Sequence, residues 1–145
     1  MRWLALDHGT KKIGLAFSDE LEILASPFEV WPQEGERTLD RLVRLCKEEG
    51  VQALAVGLPR HKDGAESATA PAARAFGETL ARRTGLPLRL VNEHLSSAEA
   101  ERLLRERGVK TEKRKLLLDA AAAAVILSEL LEDRRAKGIS AASLD

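Results

Sequence analysis

The chain opens on Trp3-Leu4-Ala5-Leu6, an uninterrupted apolar run that stops at Asp7. A run without alternation predicts a strand covered on both faces. Gly9-Thr10 predicts a turn, and Ile13 to Phe17 a loosely alternating strand that returns alongside the first. Leu24 to Trp31 reads as a third strand, and Pro27 assigns it near a sheet edge because proline cannot donate to an interior ladder. The period then changes. Leu39, Leu42, Val43 and Cys46 stand at i, i+3, i+4 and i+7, one apolar stripe of a helix that Gly50 ends. Val51 to Val56 predicts a short buried strand closed by Gly57-Leu58-Pro59. A second helix follows from Ala70 to Arg83, stopped by Gly85, and then a strand from Leu86 to Val91. Ser96 or Ser97 caps a helix running to about Arg107, Gly108 breaks it, and a last long helix spans about Lys115 to Arg135.

The order βββαβαβαα predicts an α/β fold, with an antiparallel three-strand meander continued by parallel strands into one five-stranded mixed sheet flanked by helices. No repeat or linker divides the chain, so residues 1–136 read as one domain and Lys137 to Asp145 as a short tail. At 145 residues the chain is long enough for its own core. Its 44% hydrophobic content and zero formal charge exclude a disordered chain. No apolar run approaches the roughly 18 to 20 residues of a membrane span. Asp7, Lys11 and Lys12 come too early for a secretory leader, so a soluble cytoplasmic protein is expected. A single cysteine, Cys46, excludes a disulfide framework and a cysteine-cluster metal site.

Charge balance argues against a wholly basic nucleic-acid-binding domain, yet the charge is unevenly spread. Glu101 to Lys115 carries seven Lys/Arg against three Glu, whereas Asp19 to Glu36 carries six acids and no base. Three carboxylates stand apart. Asp7 and Glu93 end predicted strands, where open α/β sheets bind ligands. Asp119 interrupts an apolar helix on the face of Ala123, Ile126 and Leu130, so it points inward, at a cost unless it is paired, protonated or bound to a metal. Converging, the three would attract a hard cation such as Mg²⁺ or Mn²⁺. Bland readings stand beside this one: Asp7 as a turn former, Glu93 as a solvated residue, and Asp119 as the partner of Lys115 one turn earlier. His8, His61 and His94 lack zinc spacing and read as surface or rim residues, with His94 next to Glu93 a possible substrate contact. Cys46 reads as core, while Trp3 and Trp31 offer rings that could stack on bases, although Trp3 lies within the buried strand and is expected to pack. Arg60, His61 and Lys62 follow a strand end and form either a phosphate rim or a solvated loop.

The stretch Asp7-His8-Gly9-Thr10-Lys11-Lys12-Ile13-Gly14 resembles the first-strand motif of the ribonuclease H-like superfamily. The likeness continues through Gly14-Leu15-Ala16-Phe17-Ser18-Asp19, then Val56-Gly57-Leu58-Pro59 with Asp63-Gly64. It extends further through Val91-Asn92-Glu93-His94-Leu95-Ser96-Ser97 with Glu99-Ala100, and ends with Lys113-Arg114-Lys115, Asp119 and Ala121-Ala122. In this order the blocks resemble the YqgF family of candidate pre-16S ribosomal RNA nucleases, which are also similar to Holliday-junction resolvases. The resemblance implies a ribonuclease H-like fold, with Asp7, Glu93 and Asp119 as catalytic, metal-binding carboxylates for Mg²⁺ or Mn²⁺. Asn92 stands where the family commonly has Asp, and His94 where it commonly has Arg. No carboxylate occupies position 123, one helical turn beyond Asp119, nor the strand ending at Pro59, which implies a weakly held second metal.

The expected activity is two-metal phosphodiester hydrolysis in structured nucleic acid, with precursor 16S rRNA first and branched DNA second. A non-catalytic nucleic-acid-binding module is the alternative of another class. Asp7 to Gly14 also resembles the phosphate turn of actin-like ATPases, which need two such domains where this chain has room for one. Lys11, Lys12, Arg60, Lys62, Lys110, Lys113, Arg114 and Lys115 are the candidate nucleic-acid contacts. Arg107 to Lys115 is expected to be a mobile, phosphate-gripping loop. The sequence shows no dimer surface, leaving monomer and homodimer open.

Overall fold

The computed structural model describes all residues except 61, 62, 64, 94–96 and 145, together with the side chain of 97. Its centre is β1 (Trp3–His8), flanked by antiparallel β2 (Lys12–Ser18) and parallel β4 (Ala53–Pro59). One edge is β3 (Ala25–Pro32), antiparallel to β2, and the other is β5 (Leu88–Glu93), parallel to β4. The sheet order β3-β2-β1-β4-β5 realises the expected meander and crossovers, and Pro27 lies on an edge strand. α1 (Glu36–Glu48) and α2 (Ala70–Thr84) join β3 to β4 and β4 to β5, while α3 (Ser97–Glu106) and α4 (Thr111–Ala136) complete the chain.

Strand alternation explains why β1 carries no polar face. Leu4 and Leu6, with Leu54, Val56 and Leu58, pack among Leu39 and Leu42 of α1 and Ala73 and Leu80 of α2. Trp3 and Ala5, with Ala53 and Ala55, pack under Ala123, Ala124, Leu127 and Leu131 of α4. Small side chains on this second face let the alanine run of α4 lie close to the strands, and α3 seals the outside of α4 through Ala100, Leu104 and Ala121. Among the described residues no helix is long and apolar enough to cross a membrane.

β4 and β5 begin two residues later than expected, at Ala53 and Leu88, and β5 runs on to Glu93; two further shifts bear on the site. β4 continues through Gly57-Leu58-Pro59 rather than closing at Val56, since those residues pair with Val91, Asn92 and Glu93. α4 begins at Thr111, so Lys113, Arg114 and Lys115 lie in its first turns and not in a loop. Arg107 to Lys110 alone separate α3 from α4, and they are tied down. The Val109 amide donates to the Leu104 carbonyl at 3.0 Å, Gly108 takes φ 77°, and Val109 packs with Leu104 and Leu117. That closure lets the good helix formers from Glu112 onward propagate at once.

Candidate active site

Two glycines let the elements that carry the carboxylates approach one another. Asp7 lies on β1 directly opposite Gly14 of β2. Alternation puts Asp7 on the same face as Trp3 and Ala5, the face that α4 covers. α4 crosses β2 so closely at Gly14 that a Cβ there would overlap the Asp119 carbonyl. Any other residue at 14 would push Asp119 away from Asp7. Glu93 closes β5, and its carboxylate folds back over Gly57 of β4. A Cβ at Gly57 would lie 3.3 Å from Glu93 Oε2 and 2.5 Å from Ile126 Cδ1 of α4. Gly14 and Gly57 were visible in the motifs, but their role is tertiary and no sequence signal exposed it.

Burial pushes the Asp7 carboxyl up to about 8, reinforced by the charges of Glu93 and then Asp119. Burial likewise raises Glu93, followed by the charges of Asp119 and Glu129. Glu129 was not singled out in the sequence. It stands one turn after Ile126 on α4, and only the fold brings it near Glu93. Asp119 is about one-third exposed and pairs with Lys12 Nζ at 3.7 Å, not with Lys115. Asp7, Gly9, Thr10, Lys11, Lys12 and Asp119 line an open groove of about 190 Å³.

An all-oxygen set suits a hard divalent cation, and the raised Asp7 and Glu93 carboxyls reflect burial first and the neighbouring acids second. Among the described residues, however, no three His, Cys, Asp or Glu side chains close around one point as metal ligands. The donors fit by chemistry, and their side chains must draw together to ligate. Ala123 is fully buried against the sheet, which leaves no room for a further carboxylate one turn beyond Asp119.

The expected cationic contacts fall into two groups. Lys11 and Lys12 line the groove, while Lys110, Lys113 and Lys115 are exposed around the start of α4. Arg114 is half-buried instead, donating to the Val109 carbonyl at 2.9 Å and pairing with Glu101 at 3.8 Å. Arg60 pairs with Glu66 at 3.8 Å. Lys62, His61 and His94 lie outside the described residues. His8 is half-buried against Phe76, ring centroids 4.9 Å apart, and this burial lowers its imidazole's proton affinity. Trp3, Trp31 and Cys46 are core, and burial pushes the Cys46 thiol up to about 11.

A family model described as RuvX, Holliday junction resolvase, matches residues 1–133. This chain belongs to the RuvX family. A candidate pre-16S rRNA nuclease of Anaeromyxobacter is 44% identical to this RuvX chain over 137 residues, covering 94% of it and 100% of the relative. Another, from Symbiobacterium thermophilum, is 41% identical over 138 residues, covering 94% and 96%. The solved Thermus thermophilus RuvC structure superposes with a TM-score of 0.63 at 18% identity, covering 94% of this chain and 97% of that one. The same protein in complex with Holliday junction substrate gives 0.62 at 19%, covering 94% and 96%. These superpositions show the ribonuclease H-like fold that the motifs implied.

Proposed function

We propose that this RuvX chain is a metal-dependent nuclease that hydrolyses phosphodiester bonds in structured nucleic acid, with precursor 16S rRNA as its substrate. The names of its relatives support the substrate. The observation that carries the chemistry is the coupling of Asp7, Glu93 and Asp119 at one end of the sheet, where burial and mutual repulsion hold Asp7 up to about 8. These three residues would hold Mg²⁺ or Mn²⁺, which when bound supplies an activated water and charge stabilisation at the leaving oxygen. Asp7, on the central strand, feels the charges of both other acids.

Lys11 and Lys12 give the groove its positive side, where a backbone phosphate approaching Asp7 is held. Lys110, Lys113 and Lys115 extend that surface along the start of α4, beside the strand being cut. Such a substrate places the protein in the cytoplasm. The family's description supports a second substrate, the four-way DNA junction. Both readings are tested by incubating the protein with an rRNA precursor and with a four-way junction, in Mg²⁺, Mn²⁺ or EDTA, beside Asp7→Asn. Metal-dependent cleavage of the precursor that Asp7→Asn abolishes is expected. Cleavage of the junction alone reassigns the substrate, and robust cleavage in excess EDTA refutes the metal site.

A further inference from the structure

The apolar stripe that seats α4 on the sheet runs out beyond the packed strands. Ala120, Ala123 and Leu127 are fully buried, and Ala123 and Leu127 cluster with Ala5 of β1 and Ala16 of β2. Leu116 precedes these three residues at i−4, i−7 and i−11, so it stands on the same helical face. Yet Leu116 is 72% exposed. Its sequence neighbours Leu117 and Leu118 behave otherwise, half-buried with Ala100, Leu104 and Ala121 in the seam between α3 and α4. Among the described residues Leu116 belongs to none of the apolar clusters. The cause is where β2 starts. α4 runs in the same direction as β2, with the Asp119 carbonyl over Gly14 and with Ala123, Leu127 and Leu131 clustered farther along with Ala16 and Ala25. β2 begins at Lys12, so one helical turn before Asp119 the stripe meets an exposed lysine and the groove in place of packed sheet.

A lone exposed leucine on the outer surface of a helix needs no explanation. Leu116 is instead on the inward stripe, one turn from Asp119, with exposed Lys113 and Lys115 beside it and Lys12 at 3.7 Å from the Asp119 carboxylate. Side chains on a helix lean toward its N-terminus, which carries Leu116 away from the acids and toward Lys113. It therefore cannot enter the chemistry at Asp7, and it lies where nucleic acid leaving the groove runs along the start of α4. An aliphatic group gains nothing from a phosphate, which the lysines hold. What it gains from nucleic acid is the apolar face of a base, and a base presents that face only where stacking is broken.

We propose that Leu116 is a specificity-determining residue, packing on the face of an unstacked base next to the phosphate held in the groove, so that nucleic acid with an unpaired nucleotide is preferred over continuous duplex. The inference rests on the reading of this groove as a nucleic-acid site, but the contact it names exists without turnover. The test is binding in EDTA to hairpins that are fully paired or carry one unpaired 2-aminopurine, each made as RNA and as DNA. Native protein should favour the bulged hairpins and raise 2-aminopurine fluorescence as the base leaves its stack. Leu116→Ser should weaken binding of the bulged hairpins about tenfold, the loss of one buried leucine contact. Binding of the paired hairpins and the dependence on salt should not change, because no charge is removed. Leu116→Phe should restore the preference, and the unfolding midpoint of Leu116→Ser should match that of the native protein. Four results overturn the proposal: no preference for bulged hairpins in the native protein, a preference that Leu116→Ser leaves intact in both RNA and DNA, equal loss on paired and bulged hairpins, or a fall in the unfolding midpoint that makes Leu116 a packing residue. A preference that Leu116→Ser removes, in a protein that cleaves no substrate with any metal, would refute the nuclease reading and leave this contact standing.

Discussion

At Asp7, burial and two neighbouring carboxylates act in one direction, so the folded protein holds a proton that the unfolded chain gives up near pH 4. Between about pH 4 and 8 the native state therefore binds more protons than the unfolded state, and stability falls as pH rises across that window. The slope for one such proton is bounded by about 1.4 kcal/mol per pH unit. Asp7→Asn removes this loss while preserving shape. Metal-free Asp7→Asn is expected to match the native protein near pH 4 and exceed it progressively toward pH 8 in denaturant titrations, with cleavage abolished. Asp119→Asn should abolish cleavage as well, and an unchanged rate there would leave Asp119 as merely the ion-pair partner of Lys12. Binding of Mn²⁺ should raise the unfolding midpoint of the native protein and not of Asp7→Asn, because ligation favours only the folded state. Ca²⁺ should bind with little turnover, its larger and looser coordination misplacing the attacking water.

At the scale of elements, the site depends on how closely α4 crosses the sheet. Gly14→Ala sets a methyl group against the Asp119 carbonyl, and α4 must retreat. The expected cost is about 1 to 3 kcal/mol of stability, with loss of cleavage although no acid is touched. Wild-type activity in Gly14→Ala would show that the separation of Asp7 from Asp119 is not critical. The start of α4 is the second element-scale device. Its Lys113 and Lys115, with Lys110 just before it, are exposed, whereas Arg114 is committed to Val109 and Glu101. Changing the three lysines to Ala should reduce the slope of log affinity against log salt by about 0.7 per contact on single strands and about 0.9 on duplex DNA. Arg114→Ala should instead lower stability and leave that slope unchanged. Equal slopes in native and triple-variant protein would confine the phosphate grip to the groove lysines.

Across the whole molecule, one buried ion pair ties distant parts of the chain together. Arg134 near the end of α4 holds Glu22 in the β2–β3 turn and also donates to the carbonyls of Ser140, Ser143 and Leu144, so the segment after α4 is folded back on the body. Burial acts to raise the Glu22 carboxyl, but the bonds from Arg134 and from the Met1 amine outweigh it and hold the group below its usual range. A lowered folded value contributes stability above the unfolded value near 4.5 that is lost as pH falls through the folded one. Glu22→Gln should cost about 3 to 5 kcal/mol, since it leaves the buried Arg134 guanidinium without its counter-charge. Its deficit relative to the native protein should shrink in acid, and a deficit constant with pH would place the effect in packing instead.

The sequence by itself determined the order of elements, the two-sided burial of β1, the edge position of β3 and the family motifs that single out Asp7, Glu93 and Asp119 as candidate acids. Those properties are written in local period, glycine and proline placement and the types of residue at strand ends, all of which act over a few neighbours. Tertiary structure decided what depends on distance across the fold. It showed that Gly14 and Gly57 make room for the acids, that Asp119 turns to Lys12 rather than Lys115, and that Glu129 comes near Glu93. It also turned the expected basic loop into the first turns of α4, because the closure of α3 at Gly108 and Val109 leaves the following residues free to propagate a helix. The physical reason is common to all four. A side chain's partner is chosen by which elements pack against one another, and packing is settled only when the whole apolar surface is buried.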